Sequence, residues 1–200
     1  DGAGSGVVNL ATGAELNGTA LTSTFLTPTG DGSGLTGISA GAWSVLTSGT
    51  FSSTAQLDFA VSKTTKVIFE NIVFSSDAGY RNSMRLSTDS GSTYITTSTY
   101  ESYNHTTKDA LGTRFGIGLG SFGAAAGEVN GGEITILKPN VAARTLVLWS
   151  YTGPNTAGTI AAYAGGGQET SSSVVNHVQL YSHIGASDYV SGTYTVLELN

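Results

Sequence analysis

From Trp43 onward the apolar positions recur mostly with a period of two. Leu57, Phe59 and Val61 alternate with Asp58 and Ala60, the mark of a strand with one buried face. Lys66 to Ser75 (Lys-Val-Ile-Phe-Glu-Asn-Ile-Val-Phe-Ser) is longer and almost continuously apolar, so a central strand buried on both faces is expected. Tyr94 to His105 alternates aromatic and hydroxyl side chains. It places Tyr94, Thr96, Ser98, Tyr100 and Ser102 on one face, and Ile95, Thr97, Thr99, Glu101, Tyr103 and His105 on the other. Further strands are expected over Arg114–Gly120, Glu133–Leu137, Arg144–Tyr151 and Thr159–Tyr163, with Leu146-Val147-Leu148-Trp149 reading as core. At the end, His177–Ser182 and Gly192–Leu199 are expected to pair across residues 185–189. Turn signals recur about every 8–15 residues and no 3.6-residue period appears, so the expected fold is all-β. Its form is an antiparallel two-sheet sandwich, jelly-roll-like, of about nine or ten strands.

One turn has a specific chemistry. In Ser87-Thr88-Asp89-Ser90-Gly91-Ser92-Thr93-Tyr94, an Asp carboxylate can fold back onto nearby backbone N–H groups while Gly91 supplies a positive φ. Thr93 and Tyr94 then suit a pleated surface. The segment is expected to be the tip of a β-hairpin joining residues 80–86 to the strand that starts at Tyr94. Ser87, Asp89, Gly91, Thr93 and Tyr94 are its structural residues.

Residues 1–41 follow a different pattern. Glycine recurs at positions 2, 4, 6, 13, 18, 30, 32, 34, 37 and 41, with single apolar residues between. A lone chain of this kind cannot offset an ordering cost of ~1–2 kcal/mol per residue. It is either a flexible linker or an extended stalk whose apolar side chains are buried when several chains wrap together. The stalk is the expectation. The division is a stalk or attachment segment over 1–41 and a sandwich head over 42–200.

Composition sharpens this picture. Charged residues are 11% of the chain and Gly is 28 of 200, so much of the surface is hydroxyl and backbone. The net charge is −6 and the eight Lys and Arg residues are scattered, which argues against nucleic acid. No apolar run approaches membrane-spanning length and no signal-peptide pattern is evident, so membrane insertion is not expected. There is no Cys, hence no disulfide and no thiolate metal site.

Several phrases resemble known families. Ser87-x-Asp89-x-Gly91-x-Thr93-Tyr94 resembles the Asp-box turn of sialidase-type propellers, also found singly in bacteriophage tail proteins. Gly30-Asp31-Gly32-Ser33-Gly34-Leu35-Thr36-Gly37-Ile38 is similar to a phrase of phage tail-fibre shafts. Trp43–Phe51 followed by Ala55–Phe59, Met84–Tyr94, His177–Tyr181 and Ser191–Val196 resemble the C-terminal sandwich domains of phage tail and tail-fibre proteins. The ending Leu197-Glu198-Leu199-Asn200 departs from the aromatic-Gly close common there. The resemblance implies a trimeric protein of the virion surface that touches the host or decorates the particle, and it implies no active site.

Motifs with chemical meaning are few. Gly37-Ile38-Ser39-Ala40-Gly41 fits a nucleophile elbow, but no helix follows it. Gly118-Leu119-Gly120-Ser121-Phe122-Gly123 fits a dinucleotide turn, but Ala124-Ala125-Ala126-Gly127 is too short to be its helix. Glu101 and His105 share a face yet lie roughly 13 Å apart at ~3.3 Å per residue, too far for joint metal ligation. Tyr100, Tyr103 and His105 stand at a strand end before a polar loop and are the candidate ligand-binding residues, with aromatic rings suited to sugar.

The expectation is therefore a non-enzymatic virion protein of tail-fibre or head-fibre type. Its trimeric head would meet a host-surface glycan or protein, and its N-terminal segment would meet other virion proteins. No cofactor or metal is expected. The alternatives are a capsid decoration or cement protein, and a monomeric carbohydrate-binding module or adhesin.

Overall fold

A computed structural model describes residues 15–16, 19–20, 43–75, 82–97, 99–104, 107–117, 123–182 and 189–200. The chain divides into two units, Asp1–Ser39 and Ala40–Asn200. In the first, β1 (Glu15–Leu16) pairs antiparallel with β2 (Thr19–Ala20). The rest of the expected stalk lies outside the described residues, as do His105 and the Gly37–Gly41 motif.

The second unit is all-β, with no helix among the described residues. Its strands are β3 (Trp43–Thr54), β4 (Gln56–Ala60), β5 (Thr65–Phe74), β6 (Asn82–Ser87), β7 (Tyr100–Asn104) and β8 (Thr107–Gly112). They continue with β9 (Phe115–Ile117), β10 (Asn130–Leu137), β11 (Thr145–Pro154), β12 (Ile160–Glu169), β13 (His177–Ser182) and β14 (Tyr189–Leu199). An eight-stranded sheet, β3-β14-β5-β10-β11-β12-β7-β8, packs on a four-stranded one, β4-β13-β6-β9. Along the chain, β3, β4, β5, β6 and then β9, β10, β13, β14 alternate between the sheets. The spatial order β3-β14-β5-β10 facing β4-β13-β6-β9 is that of a jelly roll. The β7–β8 and β11–β12 pairs are insertions that widen the larger sheet beyond β10.

That alternation corrects two expected hairpins. β6 lies in the small sheet and β7 in the large one, so the Ser87–Tyr94 turn carries the chain between layers instead of closing a hairpin. Residues 94–97 and 99 are not strand, and β7 starts only at Tyr100. The Ile95 N–H bonds the Leu86 carbonyl at 2.9 Å, and the Leu86 N–H bonds the Tyr100 hydroxyl at 3.0 Å, so this segment covers an edge of β6. Likewise β13 and β14 occupy different sheets and do not pair with each other.

The apolar run in β5 also has another explanation. Residues 65, 67 and 69 point inward, Glu70 and Asn71 are both exposed, and Ile72 and Phe74 point inward again. The pairing registers with β10 and β14 shift at this point, and Asn71 adopts φ 55°. A bulge thus switches the inward parity from odd to even positions. The run looks continuous because two alternating patterns meet there. β5 is central but is not buried on both faces: Lys66 and Ile68 are half-buried.

The core lies between the layers. Val67, Phe69, Ile134, Ile136, Val147 and Trp149 from the large sheet meet Leu57, Phe59, Met84, Leu86, Phe115 and Val178 from the small one. Phe59 meets Phe69 edge-on across the gap, centroids 6.2 Å apart. Each such side chain contributes ~1.5–3 kcal/mol through burial. β12 lends backbone closeness instead of bulk. A Cβ on Gly165 would stand 2.7 Å from the Trp149 ring, and one on Gly167 would stand 2.7 Å from the Phe115 ring.

Candidate functional site

The Asp89 turn forms as its chemistry requires. Asp89 Oδ1 accepts from the Thr93 N–H at 2.8 Å and from Ser87 Oγ at 2.7 Å, and Oδ2 accepts from Thr93 Oγ1 at 2.6 Å. The Thr93 hydroxyl, then its N–H, then Ser87 lower the Asp89 pKa from 3.8 to about 2. Ser90 and Gly91 take the positive φ values the turn needs, 62° and 82°. Asn176 clamps the turn from outside: its Oδ1 accepts from the Ser90 N–H at 2.9 Å, and its Nδ2 donates to the Thr88 carbonyl at 3.1 Å. Gly91 also sits over the His177 ring, where a Cβ would approach Cδ2 to 2.9 Å. The Tyr94 hydroxyl bonds Asp58, so the turn is anchored on the outer face of the small sheet.

The three candidate ligand residues separate. Tyr100 is 1% exposed, packs edge-on against Phe115 with centroids 4.8 Å apart, and donates from its hydroxyl to the Ile95 carbonyl at 3.1 Å. Burial pushes its pKa well above the usual phenol value. It is a core residue and offers no face to a ligand. Tyr103 is 54% exposed on the outer face of the large sheet. The structure therefore gives no shared platform for Tyr100 and Tyr103.

Tyr103 belongs to a larger surface that the sequence did not reveal. Across the pairing register, Tyr103 stands opposite Gly166, Gly166 opposite Leu148, and Leu148 opposite Thr135. The row continues through Lys66 and Leu197 to Val45. Leu148 is 52% exposed, and Leu146, two residues along the same strand, is exposed too. Of the supposed core run, only Val147 and Trp149 point inward. The missed signal was period-two alternation hidden inside four successive apolar residues. Beside this row an open depression of about 390 Å³ lies over Gly131, Ser150, Thr152, Ala162 and Ala164. A neighbouring one of about 460 Å³ is bordered by Glu70, Val129 and Ile160, the last 77% exposed. The one cation in the row, Lys66, is paired with Glu133 at 3.0 Å.

The chemistry of this face is that of contact: aliphatic side chains, small residues that let another backbone approach, hydroxyls and the Lys66–Glu133 ion pair. Among the described residues no group of three or more His, Asp or Glu side chains is placed to hold a metal ion. No family model matches the chain, and no match was found among the curated proteins or the solved structures compared with it.

Proposed function

We propose that this chain is a virion surface protein of tail-fibre or head-fibre type, acting as a homotrimer whose jelly-roll head attaches the particle to its host. The observation that carries this reading is the apolar row on the outer face of the large sheet, from Tyr103 through Leu148 to Val45. Tyr103, Leu148 and Val45 are exposed along it, interrupted by Thr135 and the Lys66–Glu133 ion pair, and large apolar side chains gathered on one face of a sheet mark an interaction site. Sister heads are its occupants in this reading, and the Gly-rich first forty residues wind together as the stalk that joins other virion proteins. Weak recognition of a host glycan or protein by each head becomes firm adhesion because three heads share one stalk.

The test is the mass of the full chain in solution, with a Leu148→Glu variant beside it. A trimer that the variant dissociates supports the reading; a monomer in both removes it. A decoration protein would use the same surface against a capsid and stay monomeric alone, so a monomer that binds emptied particles favours that second reading.

A further inference from the structure

We infer that Arg85, Arg114 and Tyr181, on the outer face of the four-stranded sheet, form a binding site for a saccharide-borne oxyanion, a carboxylate or a phosphate. The oxyanion chemistry stands on geometry; its being carried by a host saccharide rests on the attachment reading above.

The ladder places the three residues together. Arg85 is opposite Gln179 on β13, and Tyr181 lies two residues further along that strand, on the same face. Phe115 pairs with Met84, so Arg114 stands across from Arg85 one step past the end of β9. The Arg85 guanidinium lies 4.6 Å from the centroid of the Tyr181 ring. Its Nε is buried and has no hydrogen-bond partner. Arg114 makes one long contact, from a terminal guanidinium nitrogen to its neighbour Thr113 Oγ1 at 3.4 Å. The ion pairs among the described residues are Lys63–Glu198 and Lys66–Glu133, and neither involves an arginine of this face.

This arrangement leaves one guanidinium N–H, the buried Nε–H of Arg85, without an acceptor, which is unfavourable for a charged group. Stacking on a phenol ring holds a planar fork whose terminal N–H groups suit two parallel hydrogen bonds to an oxyanion. Arg114 supplies a second charge. Burial raises the Tyr181 pKa, while Arg85 and Arg114 both act to lower it, so both positive charges reach that hydroxyl. The one acid in the same cross-strand row, Asp58, makes no ion pair with either arginine. Its carboxylate is taken by the Tyr94 hydroxyl, by Gln56 Nε2 at 3.1 Å and by Gln179 Nε2 at 3.4 Å.

The experiment titrates the full chain with three probes: a hexuronic-acid tetrasaccharide, a phosphorylated glucose tetrasaccharide and a neutral glucose tetrasaccharide. Binding of at least one acidic probe and not of the neutral one is expected, weakening as salt rises. Arg85→Gln and Arg114→Gln should each lower affinity about tenfold or more, with thermal melting checked to show that the fold is intact. Arg85→Lys keeps the charge and loses the fork, so it should recover only part of the affinity. Which acidic probe binds identifies carboxylate or phosphate as the natural group. Equal binding of the neutral probe, no binding of either acidic probe, or unchanged affinity in both arginine variants overturns the inference. Adsorption of the trimer to cells that ignores both arginines would sink this site and leave attachment standing. Arginine-dependent binding of an acidic probe by a chain that adsorbs to no cell would do the reverse.

Discussion

The hydroxyl of Tyr94 donates to the carboxylate of Asp58, thirty-six residues away, and so fastens the turn that links the two layers to the outer surface of β4. Gln56 and Gln179 complete the cradle around the same carboxylate. Tyr94→Phe removes one donor and leaves the other two. The expected loss is about 1 kcal/mol in a urea titration with unchanged slope. A loss near zero would mean that the turn holds itself without this anchor.

Asp89 offers a pH test. Its folded pKa of about 2 lies below the unfolded value of 3.8, because Thr93 and Ser87 hydrogen-bond its charged form. The stability this supplies is therefore complete above about 3.8 and is lost as pH falls toward 2. The Asp89 carboxyl carbon should titrate in NMR with a midpoint near 2, and Asp89→Asn should flatten the acid limb of the melting curve. A midpoint close to 4 would show that the turn bonds are not maintained in solution.

The three successive glycines of β12 should respond unequally. Gly165 and Gly167 face the core, where a Cβ would press on Trp149 or Phe115 and on neighbouring carbonyls. Alanine at either should cost about 1–3 kcal/mol. Gly166 faces outward, and a Cβ there would meet the exposed Leu148 side chain at 3.1 Å, which can turn aside. Gly166→Ala should stay within about 0.5 kcal/mol of the parent. Thermal melts of the three variants decide it; equal losses would mean that β12 does not sit in this register.

Much of the architecture was legible from local patterning. The ends of β13 were readable to the residue, the alternation of β4 gave its buried face, and the Asp89 turn gave its own hydrogen bonds. Pairing partners were not legible, because a jelly roll sends successive strands to opposite layers and local turn chemistry cannot say which layer comes next. The bulge at Glu70–Asn71 was invisible for a related reason: two parities joined end to end look like one fully buried run. Leu146 and Leu148 were misread because outward aliphatics and inward ones look alike in sequence. Tyr100 was misplaced because a ring at a strand end before a polar loop suggested a ligand face, whereas its ring is buried and its hydroxyl serves the backbone edge of β6.

In the proposed trimer, sister chains cover the outer face of the large sheet. Sedimentation equilibrium of the full chain, beside Leu148→Glu, measures this most directly. The parent should sediment at three times the 20.3 kDa chain mass and the variant should shift toward single chains, with melting of the head little changed. A parent that sediments as one chain, or a trimer indifferent to a charge at position 148, would contradict it.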